Sequence, residues 1–195
     1  MRTIDDVHIL FSETVTTAAG LAASSLHADG HAVHRCHDQR DLGLACSALR
    51  GGACPLESEP IDVAVTVRTD EGVRPQIGDD GVFCAIRRRL PVVVAGTART
   101  HPFLRFAHTR PRAGQSLADA VEAATASLPD HSRVATLEAQ RCAGPDAIAT
   151  VTRRHGGLFV EIDAVGDKRE RTAVRVAGAV RAFDPYAPSI DVSAR

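Results

Sequence analysis

The 195-residue chain has no tryptophan, one tyrosine (Tyr186), one methionine and one lysine (Lys168). With six phenylalanines as the remaining aromatics, it is poor in the stacking platforms on which single-stranded nucleic-acid binders rely, and its core must come mainly from Val, Ala, Leu and Ile. No run approaches the ~20 apolar residues of a bilayer-crossing helix; the longest, 90–96, is strand-sized. Residues 1–7 are polar and acidic rather than basic then apolar, so no secretory signal is read there. Neither GxGxxG after a first strand, GxxxxGK[ST] nor GxSxG occurs, which removes the usual phosphate cradles and the nucleophile elbow. The expectation is no cofactor and no catalytic residue. Five cysteines, an odd number, do not read as a secreted disulfide framework, and a reducing cytoplasm is the expected compartment.

What is present is a globular composition, 44% hydrophobic and 24% charged. Residues 7–11 form a short apolar run, and Val15, Ala18, Ala22 and Leu26 then repeat at helical spacing until Asp29-Gly30 stops them. Residues 31–36 read as a second strand, Leu42, Ala45, Cys46 and Leu49 as a second helix closed by Gly51-Gly52, and 62–67 as a buried third strand. Val82, Phe83 and Ile86 mark a third helix, and 91–95 a fourth strand. Alternating strands and helices predict an α/β fold with a parallel sheet.

After Gly96 the periodicity lapses, so the reading is a first lobe over 1–98, an Arg/Pro-rich linker over 99–113 and a small α+β domain over 114–195. In the last, Ser116 and Asp119 cap a helix carrying Leu117, Val121, Ala124 and Leu128. Segments 134–138, 147–152 and 158–162 are read as strands, the last two joined through His155-Gly156-Gly157 as a hairpin. A helix with Ala173, Val176, Ala177 and Val180 and a strand at 190–192 complete the order α-β-β-β-α-β.

The opening strand, the helix after it and His31-Ala32-Val33 resemble the start of a receiver or flavodoxin-like lobe. Ser12-Glu13 stands where a receiver carries its acidic residues, no lysine occupies the late position, and Arg68-Thr69-Asp70 ends the third strand, so the resemblance is to a degenerate receiver without phosphoacceptor function. Ser127-Leu128-Pro129, residues 157–162, the helix bearing Val176 and Val180, and Ile190-Asp191-Val192 faintly resemble the alkaline-shock protein family. That resemblance implies an envelope-associated, non-enzymatic protein that works through protein partners.

Cys36, Cys46, Cys54 and Cys84 with His34 and His37 could supply soft ligands to zinc, but Cys46 and Cys54 are eight residues apart and neither forms CxxC. With Cys36 ending one parallel strand and Cys54 preceding the next, the two are expected on opposite rims, about 17–20 Å apart, so no metal site is expected. Cys46 and Cys84 read as core thiols. Cys36, between Arg35 and His37, is the candidate reactive thiol, and Cys36 with His37 the candidate redox pair. Strand ends in open α/β sheets are where ligands bind, which nominates Ser12, Glu13 and Thr14; Cys36, His37 and Asp38; Arg68, Thr69 and Asp70; and Gly96, Thr97 and Arg99. Asp79-Asp80 reads as a solvated turn pair.

Residues 81–118 hold seven arginines, Arg87, Arg88, Arg89, Arg99, Arg105, Arg110 and Arg112, and no acidic residue, leaving 16 basic against 24 acidic residues elsewhere. Such separation favours an acidic protein partner or self-association. A net charge of −1 disfavours nucleic acid. The leading functional expectation is a non-enzymatic regulatory or scaffold protein acting through protein contacts; the alternatives are a thiol-dependent enzyme or redox sensor using Cys36 and His37, and an anion or nucleic-acid binder using the arginines of 81–118.

Overall fold

The computed structural model describes residues 7–13, 17–37, 46–69, 72, 74–112, 114–154, 157–163 and 166–195. The chain divides into two compact units, Met1–Thr125 and Ala126–Arg195.

In the first unit, β1 (His8–Glu13), α1 (Thr17–Ala28), β2 (Ala32–Arg35), a 3-10 turn (Ser47–Arg50), α2 (Pro55–Ser58), β3 (Val63–Val67), α3 (Asp80–Arg87), β4 (Val92–Ala95) and α4 (Leu117–Thr125) follow in order. The strands form one parallel sheet in the order β2-β1-β3-β4. Every residue of β3 is buried, the mark of a central parallel strand covered on both faces. Register aligns Leu10 with Ala64 and Ala64 with Val92, and this row lies under α3, with Leu10 and Ala64 against Ala85 and Val92 against Val82. Ile9, Phe11, Val63, Val65 and Val93 alternate to the other face and are equally buried; α1 and α4 touch each other and these strands.

Differences from the sequence reading begin between β2 and β3. Leu42 and Ala45 of the expected second helix, like Val15 of the first, lie outside the described residues. Leu49 sits exposed on the 3-10 turn, and a single helical turn, α2, follows. The stretch read as a linker belongs to the first unit: Phe103 and Ala107 are buried against Val92 and Val94, Thr109 bridges to Val93, and its hydroxyl donates to the Ala120 carbonyl of α4 at 2.8 Å. The Ser116 hydroxyl accepts from Asp119 N–H at 3.1 Å, which starts α4 where the capping pattern places it.

The second unit runs α5 (Leu128–Ala143), β5 (Ile148–Arg154), β6 (Gly157–Asp163), α6 (Arg169–Phe183) and β7 (Ile190–Ala194). β6 pairs antiparallel with β5 and parallel with β7, and the β5–β6 register closes at Arg154 opposite Gly157, as the hairpin reading requires; His155 and Gly156 lie outside the described residues. Val151, Val160 and Ile162 meet Ala135, Ala139, Val176 and Val180 in one core. Residues 134–138, expected as a strand, are the middle of α5. That helix starts with Pro129 in its first turn, and its buried face is part polar. His131 lies between the Ser127 carbonyl (2.9 Å) and Asp184 (3.2 Å), and Glu138 takes a 2.6 Å ion pair from Arg175. Among the described residues no helix is long and apolar enough to cross a membrane.

Candidate metal centre

In a sheet of this strand order the crevice for ligands opens beyond the carboxyl ends of β1 and β3, where the order reverses. Here residues 74–79, between β3 and α3, bridge the two strand ends. The Ser12 hydroxyl donates to the Gly78 carbonyl at 2.5 Å, and the fully buried Arg68 pairs with the fully buried Asp79 and donates to the Arg74 carbonyl at 3.2 Å. Asp79 also accepts from Gln76 N–H at 2.6 Å; its burial pushes the carboxyl above its ordinary value, opposed by that amide and by Arg68. Asp79 is therefore an internal partner rather than a solvated turn residue. Of the rim residues named from sequence, Thr14, Asp38 and Asp70 lie outside the described residues, and Thr97 donates to the Thr69 carbonyl at 3.4 Å.

The reactive groups gather instead on the sheet face beneath α3. Register sets His8 opposite Ala32 and Leu10 opposite His34, so His34 lies in the Leu10 row and Cys36, two residues on, continues it. Cys36 is buried against Leu10, Leu56, Ala64 and Ala85, and Cys46 and Cys54 pack onto the same cluster. Local hydrogen bonds explain the convergence. Ser47 N–H donates to the Cys36 carbonyl at 2.9 Å, and Gly52 N–H returns to the Ser47 carbonyl at 2.9 Å. Gly51, at φ +83°, reverses the chain, and Cys54 then heads α2, its carbonyl accepting from Glu57 and Ser58 N–H at 2.8 and 3.0 Å. The opposite-rim placement expected for Cys36 and Cys54 is thus overturned, since both belong to one cluster and the Ser47–Arg50 turn between them is hydrogen-bonded back to Cys36.

The fourth thiol comes from α3. A Cβ on Gly81 would stand 3.1 Å from Cys36 Sγ and 3.5 Å from Leu10 Cδ2, so the first turn of α3 rests on this sulfur. Cys84 lies three residues along the same helix face. One turn further, Arg88 donates to the Leu56 carbonyl and approaches Glu57 at 3.5 Å, tying α3 to α2. Burial pushes the Cys36 thiol up to about 12, and Cys46, Cys54 and Cys84 push it the same way. Cys84 is raised by partial burial and then by Cys46 and Cys54, although the residue is exposed rather than in the core. All five cysteines are free thiols, and Cys142 is in the second unit. Burial leads the causes acting on Cys36, and an apolar cover disfavours the thiolate. His37 Nε2 is shielded from solvent and has no hydrogen-bond partner among the described residues.

The same face carries a second ligand set. His8 Nδ1 and His34 Nε2 are 3.1 Å apart, with the rings stacked at 10°, and the Glu59 carboxylate completes a trio whose ligand atoms all lie within 4.8 Å of one another. The arginines, by contrast, form no comparable focus. Arg88 is engaged by α2, Arg105 lies over Phe106 at 4.6 Å and Arg110 donates to the Ala98 carbonyl at 3.2 Å. Arg87 and Arg89 are exposed at the end of α3, and Arg99 and Arg112 are exposed in the loops beyond β4. Sequence reasoning named all four thiols but set Cys36 and Cys54 apart and Cys84 in the core; the trio of His8, His34 and Glu59 it missed, since Glu59 is 25 residues from His34 and only the fold brings them together. Comparison with protein-family models, with curated proteins and with solved structures found no match to this chain.

Proposed function

We propose that the first unit is a regulatory module whose working part is a soft-metal centre ligated by Cys36, Cys46, Cys54 and Cys84. The observation that carries this reading is the packing of Cys46 and Cys54 onto the Cys36 cluster, with Gly81 of α3 against the Cys36 sulfur and Cys84 one turn on. Thiols gathered in this way gain from a bound cation, because ligation removes the proton and neutralises the charge together. The shielding by Leu10, Leu56, Ala64 and Ala85 suits a structural or sensing centre more than a substrate pocket. The strand order β2-β1-β3-β4 supports kinship with flavodoxin-like and receiver lobes, whose usual crevice is here bridged by residues 74–79. The succession α5, hairpin, α6 and β7 supports an alkaline-shock-like second unit that acts through protein contacts.

Cobalt(II) titration of the reduced full chain tests the centre. A thiolate-to-cobalt charge-transfer band, abolished in Cys36→Ser and Cys54→Ser and retained in Cys142→Ser, is the expected result. Cobalt bound without that band, through His8, His34 and Glu59 alone, overturns the reading.

A further inference from the structure

We infer that the group held by Cys36, Cys46, Cys54 and Cys84 is a [4Fe–4S] cluster and not a single zinc ion, an inference that rests on the four-thiolate reading above. A mononuclear tetrahedral site with metal–sulfur bonds of about 2.3 Å brings its sulfurs to about 3.8 Å of one another. Among the described residues, the set of three or more His, Cys, Asp or Glu ligand atoms that converges within 4.8 Å is His8, His34 and Glu59. No three of the four sulfurs meet that limit. Cys46 and Cys54 nevertheless pack onto the Cys36 cluster, and Cys84 stands one helical turn beyond Gly81, whose added Cβ would lie 3.1 Å from Cys36 Sγ; all three lie near enough to oppose charge on Cys36. Sulfurs that are neighbours yet set wider than a single ion would draw them match a polynuclear core, whose cysteines stand at separate corners.

Chain geometry agrees with the wider spacing. Zinc sites built on Cys-x-x-Cys turns present two sulfurs from one tight loop. Here each sulfur has its own support: Cys36 follows β2, Cys46 and Cys54 flank the Ser47–Arg50 turn, and Cys84 is on α3. Four independent supports set four separated corners. The surround is apolar, with Leu10, Leu56, Ala64 and Ala85 buried and Ile61 and Leu90 packed against them. Cys84 is open to solvent, so one corner of the cluster faces outward, where an oxidant or an electron partner can reach it.

Loading from a preformed cluster is a ligand exchange with no change of oxidation state. Each cysteine thiol passes its proton to a departing small thiolate as one iron–sulfur bond breaks and another forms, four times in all.

The test incubates the reduced full chain, without oxygen, with the synthetic [4Fe–4S] cluster carrying four mercaptoethanol ligands, and assays the desalted protein for iron, acid-labile sulfide and visible absorption. About four irons and four sulfides per chain are expected. Serine at any one of the four positions should lower retained iron at least several-fold, and Cys142→Ser should retain it. Circular dichroism and the cobalt titration on each variant separate loss of ligation from loss of folding. A chain that discards iron but binds zinc through the same four cysteines overturns the cluster and leaves the four-thiolate centre standing; a chain that binds neither overturns both. Iron and sulfide retained in the four-serine variant also refutes the assignment.

Discussion

Gly96→Ala should damage the first unit far more than its small size implies. Gly96 has φ +106°, and a Cβ there would stand 1.8 Å from the Arg68 carbonyl oxygen, 2.7 Å from its carbon and 2.8 Å from its nitrogen. Relief requires the Arg68 backbone to retreat by more than an ångström. Arg68 N–H, however, donates to the Ala95 carbonyl at 3.1 Å, its carbonyl accepts from Ala98 N–H at 3.4 Å, and its side chain is locked to Asp79. Positive φ alone costs a non-glycine residue about 1–2 kcal/mol, two disturbed backbone hydrogen bonds add about 1 kcal/mol each, and loosening the buried ion pair threatens a further ~3 kcal/mol. A total above about 4 kcal/mol places the substitution among the rare severe ones. Gly114→Ala is the control: its φ is +81° but nothing lies within 4 Å of the added Cβ, so only the ~1–2 kcal/mol of backbone strain applies. Because a two-unit chain need not unfold in one step, the assay is native-state hydrogen exchange on peptides covering β1 and β3. Gly96→Ala should speed their exchange by about 100-fold beyond Gly114→Ala, the equivalent of about 3 kcal/mol. Equal protection in the two variants refutes the steric argument.

Three further outcomes follow from the geometry. Asp184→Ala removes the acceptor for Tyr186 and Ala187 N–H (3.1 and 2.9 Å) and the hydrogen-bond partner of buried His131; three buried groups left unpaired at about 1–2 kcal/mol each should appear as a lower urea midpoint for β5–β6, with Asp184→Asn, which keeps one oxygen, less affected. Glu138 is held below the usual carboxylate range, first by the hydrogen bond from Arg175 and then by its charge and that of Arg141. The folded value lies below the unfolded one, so this stabilisation is complete above the unfolded carboxylate pKa and disappears as pH falls through the folded one. Arg175→Ala should flatten that acid limb in urea midpoints measured against pH, and an unchanged limb refutes the assignment. Finally, a thiol pushed to about 12 is ionised in only about one molecule in ten thousand at pH 8, so iodoacetamide should leave Cys36 of the folded, metal-free chain unmodified while Cys142 reacts. Rapid alkylation of Cys36 would restore the reactive-thiol reading.

The buried strands were legible because their apolar runs are bounded by breakers: Val63, Ala64, Val65 and Val67 between Pro60 and a polar loop, and Val92, Val93 and Val94 between Pro91 and Gly96. The hairpin ending at Gly157 was legible for the same reason. The middle of α5 was not, since two of its inward positions are His131 and Glu138, whose burial depends on Asp184 and Arg175, partners 53 and 37 residues away. Propensity in a five-residue window carries no trace of such partners. The thiol cluster was hidden differently. Its residues were plain in the sequence, but their separation was inferred from a regular helix between strands, whereas the chain makes a 3-10 turn hydrogen-bonded back to Cys36 and doubles over at Gly51.

The stopper between β3 and α3 also constrains how this lobe could ever be remodelled. Opening the mouth by single replacements would strand a guanidinium in a dry interior once Asp79 was gone, or an orphaned carboxylate once Arg68 was. Excising residues 74–79 together with their ion pair is the route that avoids both. Until then the sheet offers visitors its flank, not its lip.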